Sequence, residues 1–349
     1  MTTTLEPHLE LERVGVDDPA WKAFVGADPE ASAFHHPAWA TLVERCYGFE
    51  SFVLVERGQD GTVMGGLPIA IVANPFRPRR WVGLPFVDYL PPLGSLGNHD
   101  GLASQLRLEA RRDGIRSVEV RAPLGNVREG DPQSVRHVLQ LLADPEEQFS
   151  QFHRMTRRNV RQAERNGVVR VEVGDDRSAL TDVFFNLHLR TRRRQGTPVQ
   201  PRRFFRLLWD ELFTRGLGDV FVASVDRVPI AAAVFLRWNG NVIYKFGASD
   251  PAAWSHRPNN LIFWHAIRRS IELGDRTLDF GRSEVSQDGL RSFKLGWGAE
   301  ESPLRYSRLA AQPTEGGPAR HASSLVPIVR RSPLWVTRLL GELFYRYAA

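Results

Sequence analysis

Cysteine and lysine are the residue types that this sequence has least of. The single cysteine, Cys46, excludes an internal disulfide framework and a cysteine-based zinc site, and it predicts a reducing compartment, so we expect a cytoplasmic protein. No apolar run is long enough to span a bilayer, and the first residues have no basic segment followed by an apolar one. We therefore expect neither a membrane span nor a signal peptide.

Arginine replaces lysine almost everywhere in the chain. Of the 46 lysine and arginine residues, all but Lys22, Lys245 and Lys294 are arginines, and GC-rich coding accounts for that excess. Because the ammonium group is a compact charge with a tunable pKa, a lysine retained between apolar neighbours is a better candidate than usual for a functional group. Lys294, between Phe293 and Leu295, is such a lysine.

The sequence contains an internal repeat. The chain has 349 residues, 42% of them hydrophobic and 25% charged, which predicts two globular domains. The pattern of 106–123, a helix that ends in glycine and a strand with an acidic residue, recurs at 267–283. A strand, turn and longer strand at 52–72 likewise recur at 220–238, and the copies lie 160 to 170 residues apart. These two pairs of similar segments indicate a duplicated unit.

The order of elements defines the expected fold class. Each copy is predicted to have a strand, two helices, a run of antiparallel strands, a helix and further strands. In the second copy we expect strands at 168–173, 219–225, 229–238, 241–248, 277–280 and near 304–309, and helices at 180–194, 203–215, 260–273 and near 290–295. This α/β (α+β) order, with mixed and mainly antiparallel sheets, resembles two tandem copies of the GNAT fold of acyl-CoA N-acyltransferases. The predicted domains are 1–144 and 145–310, followed by a linker and C-terminal helix in 311–349.

A long helix is predicted over 145–166, with Gly167 as its stop. Arginines recur along one face of it, at 154, 157, 158, 161 and 165. A solvated basic face is one interpretation. The guanidinium group of arginine can also bind two phosphate oxygens at once. Arg157, Arg158 and Arg161, together with Arg194 from the next helix, are therefore candidate ligands for the phosphates of a donor substrate. Contact with a nucleic-acid backbone is a third interpretation.

Residues 276–297, RTLDFGRSEVSQDGLRSFKLGW, carry the chemistry that the sequence predicts. Asp279 lies on a strand, Gly281 permits a close backbone approach at its end, and Phe293 and Lys294 follow on a short helix. Two interpretations of Lys294 remain open: a structural ion pair with Asp279 or Glu284, and a cation placed where negative charge develops during acyl transfer.

Several motifs together resemble the FemAB-like family of aminoacyltransferases and acyltransferases, with the greatest similarity to its members associated with PEP-CTERM/exosortase systems. They are FHHPAW at 34–39, GTPV at 196–199 followed by Arg203, PNN at 258–260, DFGRS at 279–283, FK at 293–294 with WG at 297–298, and the tail SPLWVTRLLGELFYRY at 332–347. The resemblance covers almost the whole chain.

This resemblance implies two fused GNAT-like domains with the active site in the second or in the cleft between them. It implies transfer of an acyl or aminoacyl group to an amine of a cell-envelope, peptidoglycan or exopolysaccharide precursor. Phe293 and Lys294 match the family's catalytic position, where the lysine stabilises the oxyanion. The resemblance also implies an aminoacyl-tRNA or an acyl-CoA as cosubstrate, with no tightly bound cofactor. No glycine-rich loop of the usual coenzyme A type is present in SDPAAWSHRPNNLIFW at 249–264.

The remaining candidate residues are expected to contact the acceptor or to shape its site. They are Asp279, Arg282, Ser283, Tyr244, Asn259, Asn260, Trp297, Asp88, Tyr89 and His36. No spacing of histidines indicates a metal site.

The tail is predicted to form an amphipathic helix with a stripe of large apolar residues and basic flanks. We expect this helix to pack back on the first domain, and peripheral contact with the inner face of the membrane is the alternative. For the whole chain, the competing hypothesis to an acyltransferase is a non-catalytic module that docks nucleic acid or anionic lipid through its arginine-rich helix.

Overall fold

The computed structural model describes residues 9–74, 77–125, 127, 132–311 and 326–348. These divide into two compact units, one drawn from Met1–Gln133 with Pro303–Gly317 and the other from Ser134–Ser302 with Pro318–Ala349. The elements up to residue 120 are β1 (Glu12–Gly15), α1 (Pro19–Ala27), α2 (Pro37–Tyr47), β2 (Ser51–Arg57), β3 (Val63–Asn74), β4 (Arg77–Val82), β5 (Leu93–Gly94), α3 (Leu102–Arg112) and β6 (Ser117–Val120).

The later elements are β7 (Ser134–Gln140), α4 (Pro145–Gln151), α5 (Arg154–Asn166), β8 (Arg170–Val173), α6 (Phe185–Gln195), α7 (Arg202–Glu211), β9 (Gly218–Val225), β10 (Val228–Trp238), β11 (Asn241–Ser249), α8 (Pro258–Glu272), β12 (Thr277–Glu284), α9 (Asp288–Leu295), β13 (Glu300–Pro303), β14 (Ser307–Ala310), α10 (Val326–Arg331) and α11 (Leu334–Phe344). A π-helical turn, Ala179–Phe184, leads into α6.

Each unit is built on one mixed sheet. The first sheet has the order β1-β2-β3-β4-β6-β14, with β5 beside β3, and the second has the order β8-β9-β10-β11-β12-β7-β13. The pairs β4–β6 and β11–β12 are parallel, whereas the hairpins β2–β3, β3–β4, β9–β10 and β10–β11 are antiparallel. The α/β class with mixed, mainly antiparallel sheets is therefore confirmed.

The predicted duplication is visible in the topology. The hairpins β2–β3 and β9–β10 hold equivalent positions, as do α3–β6 and α8–β12. Gly114 and Gly274 follow the equivalent helices with φ of 67° and 75°. This left-handed conformation, which glycine adopts without steric cost, ends both helices at the predicted residues.

The predicted domain boundaries are wrong because each sheet takes a strand from the other half of the sequence. β7 precedes the predicted boundary at 144/145 but pairs with β12 in the second sheet. β14, predicted as the last strand of the second domain, pairs with β6 in the first sheet. Antiparallel pairing requires an extended segment with the right alternation of faces, and sequence position does not reveal which sheet such a segment joins.

The single helix predicted over 145–166 is two helices, α4 and α5. Between them, Phe152 has extended backbone and its buried ring packs against Trp264 and Trp297. His153 then caps α5, its Nδ1 accepting a hydrogen bond from the Met155 amide at 3.3 Å. Gly167, with φ of 60°, ends the helix as predicted. The helical spacing of apolar residues continues across this break, so the sequence pattern did not reveal the turn between α4 and α5.

The expected packing of the C-terminal helix on the first domain is wrong, because α10 and α11 pack on α6 within the second unit. α11 buries its small residues, Thr337 and Gly341. An ideal Cβ built on Gly341 would lie 2.1 Å from the Val199 carbonyl oxygen, so only glycine permits this close approach. Trp335, Leu339, Leu343 and Phe344 of α11 consequently face away from the contact and are exposed.

We predict that Gly341→Ala lowers the free energy of unfolding by about 1 to 3 kcal/mol, because the methyl group overpacks the contact with Val199. Gly26→Ala is the matched control, since no atom lies within 4 Å of its ideal Cβ and it lies inside α1. That substitution is expected to stabilise the protein by about 0.5 to 1 kcal/mol. Urea unfolding followed by circular dichroism measures both, and equal effects of the two substitutions would contradict the assigned contact.

Burial of His188 makes the stability of the second unit depend on pH. Its buried ring stacks on Phe184, and its Nε2 lies 2.8 Å from Gln200 Oε1. Burial, with a smaller effect of the Arg192 charge, lowers the pKa of His188 from 6.5 to about 3. The folded protein thus excludes a proton that the unfolded chain binds near pH 6.5.

We predict that His188 lowers the free energy of unfolding as the pH falls from 6.5 towards 3, because only the unfolded chain then binds the proton. The loss is up to about 1.4 kcal/mol per pH unit, and above pH 6.5 it is absent. In His188→Gln the free energy of unfolding should vary less steeply with pH over this range. Urea titrations at a series of pH values test this, and parallel pH profiles of the wild type and the variant would refute it.

Candidate active site

The two parallel strands β11 and β12 part at the centre of the second sheet. They are paired only between Asn241–Ile243 and Thr277–Asp279, although β11 continues to Ser249 and β12 to Glu284. Beyond Asp279, β12 pairs again with β7, through Arg282 to Glu284. A parted parallel pair leaves backbone donors and acceptors that an extended ligand can use.

A β-bulge shapes β12 at this point. The register against β7 shifts between Asp279 and Arg282, and Gly281 has a φ of 68°. Asp279 holds the bulge, since its Oδ1 accepts a hydrogen bond from the Gly281 amide and its Oδ2 accepts one from Arg136 Nε, both at 2.7 Å. Asp279, predicted as a substrate ligand, therefore has two internal partners that fix the backbone.

Lys294 lies against this bulge from α9. It is only 2% exposed, and its Nζ donates hydrogen bonds to the carbonyl oxygens of Gly281 at 2.7 Å and of Arg282 at 3.0 Å. The protein therefore screens this lysine from bulk water. Its hydrogen bonds to β12 carbonyls fix the ammonium group beside the residues where β11 and β12 have parted.

A second cluster of ionisable groups lies close to Lys294, and sequence reasoning missed it. His137 is buried on β7, and its Nε2 lies 2.9 Å from Glu301 Oε2. Arg291 binds the same carboxylate through both oxygens, at 2.9 and 2.8 Å. Burial first, and then the positive charge of Lys294, lowers the pKa of His137. No sequence pattern links His137, which precedes the predicted second domain, to this site.

The N-terminus of α8 supplies further polar groups. Arg257, in a left-handed conformation with φ of 57°, precedes the helix, Pro258 is its first residue, and no side chain caps it. Asn259 Nδ2 lies 3.5 Å from Ser249 Oγ at the end of β11. Uncapped amides at a helix N-terminus, together with the helix dipole, favour an anionic ligand.

A cavity of about 500 Å³ opens where α5, α8 and α9 meet. Its lining combines polar side chains with the Phe293 ring and consists of His153, Met155, Thr156, Asn159, Asn260, Gly289, Ser292, Phe293, Leu295 and Gly296. Of these, the sequence indicated only Asn260 and Phe293. This volume suits a small-molecule ligand or part of a larger one.

Of two predicted aromatic residues, Trp297 belongs to the core of the second unit and Tyr244 packs against it. Trp297 is 0% exposed, and its indole packs against Phe152 and Phe263. The prediction that Trp297 contacts substrate is therefore wrong, because its surface is already covered by protein. The Tyr244 ring packs on Phe235 and Phe263, and burial raises its pKa to about 12.

The two residues after the bulge have different surroundings. Arg282 is exposed and forms an ion pair with Glu284 at 2.6 Å. Ser283 is buried, and its hydroxyl finds no hydrogen-bond partner among the residues that the structure describes. Both residues lie next to the carbonyl groups that bind Lys294, and their contact with substrate stays a prediction.

The four candidate phosphate ligands do not form one cluster. Arg157, Arg158 and Arg161 lie on α5, which packs on α8, whereas Arg194 ends α6 and donates to the Ser249 carbonyl at 3.3 Å.

These helices cover opposite faces of the sheet. Phe235 contacts Phe263 of α8, and Phe246, which pairs with Val234, contacts His188 of α6. Since Val234 and Phe235 are successive residues of β10, their side chains point to opposite faces of the sheet. The arginines therefore form two separate basic surfaces.

The predicted residues of the first unit have structural partners of their own. His36 caps α2, with Nδ1 accepting from the Ala38 amide at 3.1 Å. The Asp88 carbonyl accepts a hydrogen bond from Tyr306 at 2.8 Å, and Tyr89 packs against the first core. Nearby, Leu84 and Phe86 have positive φ of 39° and 63°, a strained conformation that is typical of functional loops. Their contact with substrate stays a prediction.

The fold and the family comparison agree on the class of protein. The chain has the GNAT fold, with one such sheet in each unit, and residues 150–306, a little under half of the chain, match the acetyltransferase (GNAT) domain family. No curated protein sequence matches the chain significantly.

Solved structures are similar over nearly the full length. The crystal structure of FemX matches with a TM-score of 0.70 at 16% identity, over 86% of this chain and 97% of that one. A tandem GNAT protein from the clavulanic acid biosynthesis pathway matches with a TM-score of 0.51 at 15% identity, over 88% and 100% of the two chains. The C-terminal domain of a putative lysylphosphatidylglycerol synthetase from Agrobacterium fabrum gives 0.51 at 14% identity, over 84% and 90%.

Among the helices that the structure describes, none combines the length and the apolar character that crossing a membrane requires.

We predict that Asp279→Asn destabilises the second unit by about 2 kcal/mol, because the charge-assisted bond from Arg136 is lost. A double-mutant cycle with Arg136→Gln, measured by urea unfolding, should give a coupling energy of about 0.5 to 3 kcal/mol. Strictly additive effects would show that the Arg136 contact does not hold the bulge.

Proposed function

We propose that this protein is an N-acyltransferase that transfers an acyl or aminoacyl group to an amine of a cell-envelope, peptidoglycan or exopolysaccharide precursor. The observation that carries the proposal is the buried ammonium group of Lys294, held by the carbonyls of Gly281 and Arg282 where β11 and β12 part. A fixed cation at an opening in the sheet is suited to stabilise negative charge on a bound carbonyl oxygen.

The reaction forms a C–N bond and breaks the bond from the acyl carbon to the donor. The neutral amine attacks the acyl carbon, and the carbonyl oxygen becomes the oxyanion of a tetrahedral intermediate near Lys294. The intermediate then collapses and expels the donor's thiolate or ribose alkoxide. The amine's proton passes through solvent or substrate to that leaving group, so charge and atoms balance. Lys294 keeps its proton throughout and acts by electrostatic stabilisation.

The donor is proposed to lie along the parted strands towards α8. Its phosphates would meet the uncapped amides at the α8 N-terminus and the Asn259 side chain. Arg157 and Arg158, near the start of α5, add positive charge on the same face of the sheet. Both an acyl-CoA and an aminoacyl-tRNA present phosphates, so this chemistry is common to the two donors.

The cavity beside Phe293 is proposed to receive the acceptor or the acyl chain. Its polar groups, Asn159, Asn260 and Ser292, can orient a ligand by hydrogen bonds, while the Phe293 ring supplies an apolar wall. The fold likeness to FemX and to a lysylphosphatidylglycerol synthetase domain supports transfer of an aminoacyl group, and the likeness to a tandem GNAT protein supports an acyl-CoA donor.

We predict that Lys294→Met lowers kcat about 100- to 1,000-fold, because an electrostatic contact to the oxyanion is lost. Lys294→Arg should not restore activity, since a planar guanidinium cannot replace a compact ammonium group between two carbonyls. The assay is the product mass after incubation of candidate amine acceptors with acetyl-CoA or, separately, with charged tRNA.

Lys22→Met, which removes an exposed lysine from α1, is the matched control and should keep wild-type turnover. Circular dichroism establishes that each variant is folded, and calorimetry with the active donor should show affinity within about threefold of the wild type. A folded Lys294→Met protein with normal turnover would refute the proposed role.

A further inference from the structure

The C-terminal helix α11 turns one row of large apolar side chains towards solvent. Trp335, Leu339 and Leu343 are 67%, 48% and 54% exposed. Their spacing of four residues places them on one side of the helix, as a stripe about 12 Å long. Phe344, at the end of α11, is also exposed. A helix on a protein surface ordinarily buries such residues, so this orientation needs a physical reason.

The contacts of the opposite side fix this orientation. Thr337 and Gly341 are buried against the second unit, with Gly341 in close contact with the Val199 carbonyl. Next to the stripe, Glu342 adds a hydrogen bond, its Oε1 accepting from the Arg202 amide at 2.9 Å. A rotation that buried Trp335 would break both contacts and bring a bulky side chain to a position that admits only glycine.

Arginine supplies most of the charge of the C-terminal segment that carries the apolar stripe. Residues 326–348 contain four arginines, Arg330, Arg331, Arg338 and Arg346, all exposed, and one acidic residue, Glu342. Glu342 already accepts a backbone hydrogen bond. The segment that carries the stripe therefore has a net positive charge.

We infer that α11 docks this protein on an anionic lipid bilayer, with the helix lying in the plane of the membrane surface. Trp335, Leu339 and Leu343 would enter the boundary between headgroups and acyl chains, while the arginines meet lipid phosphates. A second copy of the chain is a poorer occupant, because two such faces would bring like charges together. The inference goes beyond the proposed acyl transfer and does not depend on it.

The test is cosedimentation of the full chain with vesicles of phosphatidylcholine and phosphatidylglycerol in equal parts, and with pure phosphatidylcholine vesicles. We expect binding to the anionic vesicles at least about tenfold stronger than to the neutral ones. Each of Arg338→Gln and Arg346→Gln should weaken it about fivefold, and added salt should weaken it further.

The triple variant Trp335→Ser, Leu339→Ser, Leu343→Ser should lose at least about tenfold in binding, since the apolar anchor is removed. Its matched control is Met64→Ser, Val228→Ser, Leu273→Ser, which removes three exposed apolar side chains outside α11 and should bind as the wild type does. Because the three α11 side chains face solvent, the thermal unfolding midpoint should stay unchanged, which separates lost docking from lost folding.

Three results would overturn the inference: no binding of the wild type to anionic vesicles, equal binding to neutral vesicles, or undiminished binding of the α11 variant. Analytical ultracentrifugation provides a further test. A wild-type dimer that the triple serine variant abolishes would identify the occupant of the stripe as a second copy, against the membrane.

Discussion

The second unit is organised around the parting of β11 and β12. Their short paired segment ends at Asp279, and the backbone of β12 then passes through the Gly281 bulge before it resumes its pairing with β7. Asp279 bonds to the Gly281 amide and to Arg136, so one carboxylate fixes both the bulge and its link to the neighbouring strand. The carbonyls that hold Lys294 follow directly, and the position of that ammonium group therefore depends on the bulge.

Two backbone carbonyl groups solvate the buried amino group of Lys294. Carbonyl oxygens at 2.7 and 3.0 Å replace lost hydration, which offsets the desolvation cost of the cation. The lysine's charge also contributes to lowering the pKa of His137, which favours a neutral ring next to it. Glu301, bound by Arg291, balances the local charge. A chain that uses arginine almost everywhere thus keeps a compact cation where two carbonyls converge.

Most secondary structure was predictable because hydrophobic period, glycine stops and hairpin turns are local signals. The duplicated order of elements, and helix ends such as Gly114, Gly167 and Gly274, are of this kind. Local patterns do not state which sheet an extended segment joins, so the exchange of β7 and β14 was missed. For the same reason His137 could not be connected with Lys294. The break before α5 arises from Phe152 turning into an aromatic core that only the folded chain assembles.

The sequence by itself determined the GNAT-like class, the twofold repeat and the conspicuous Lys294 within DFGRS and FK motifs, since these depend on residue type, order and spacing. Tertiary structure alone decided which groups surround that lysine, that Trp297 is a core residue, and which side of α11 is buried. Hydrophobicity predicts that the large apolar stripe of α11 packs inwards. Close packing reverses this outcome, because the narrow contact at Val199 admits glycine and excludes larger side chains.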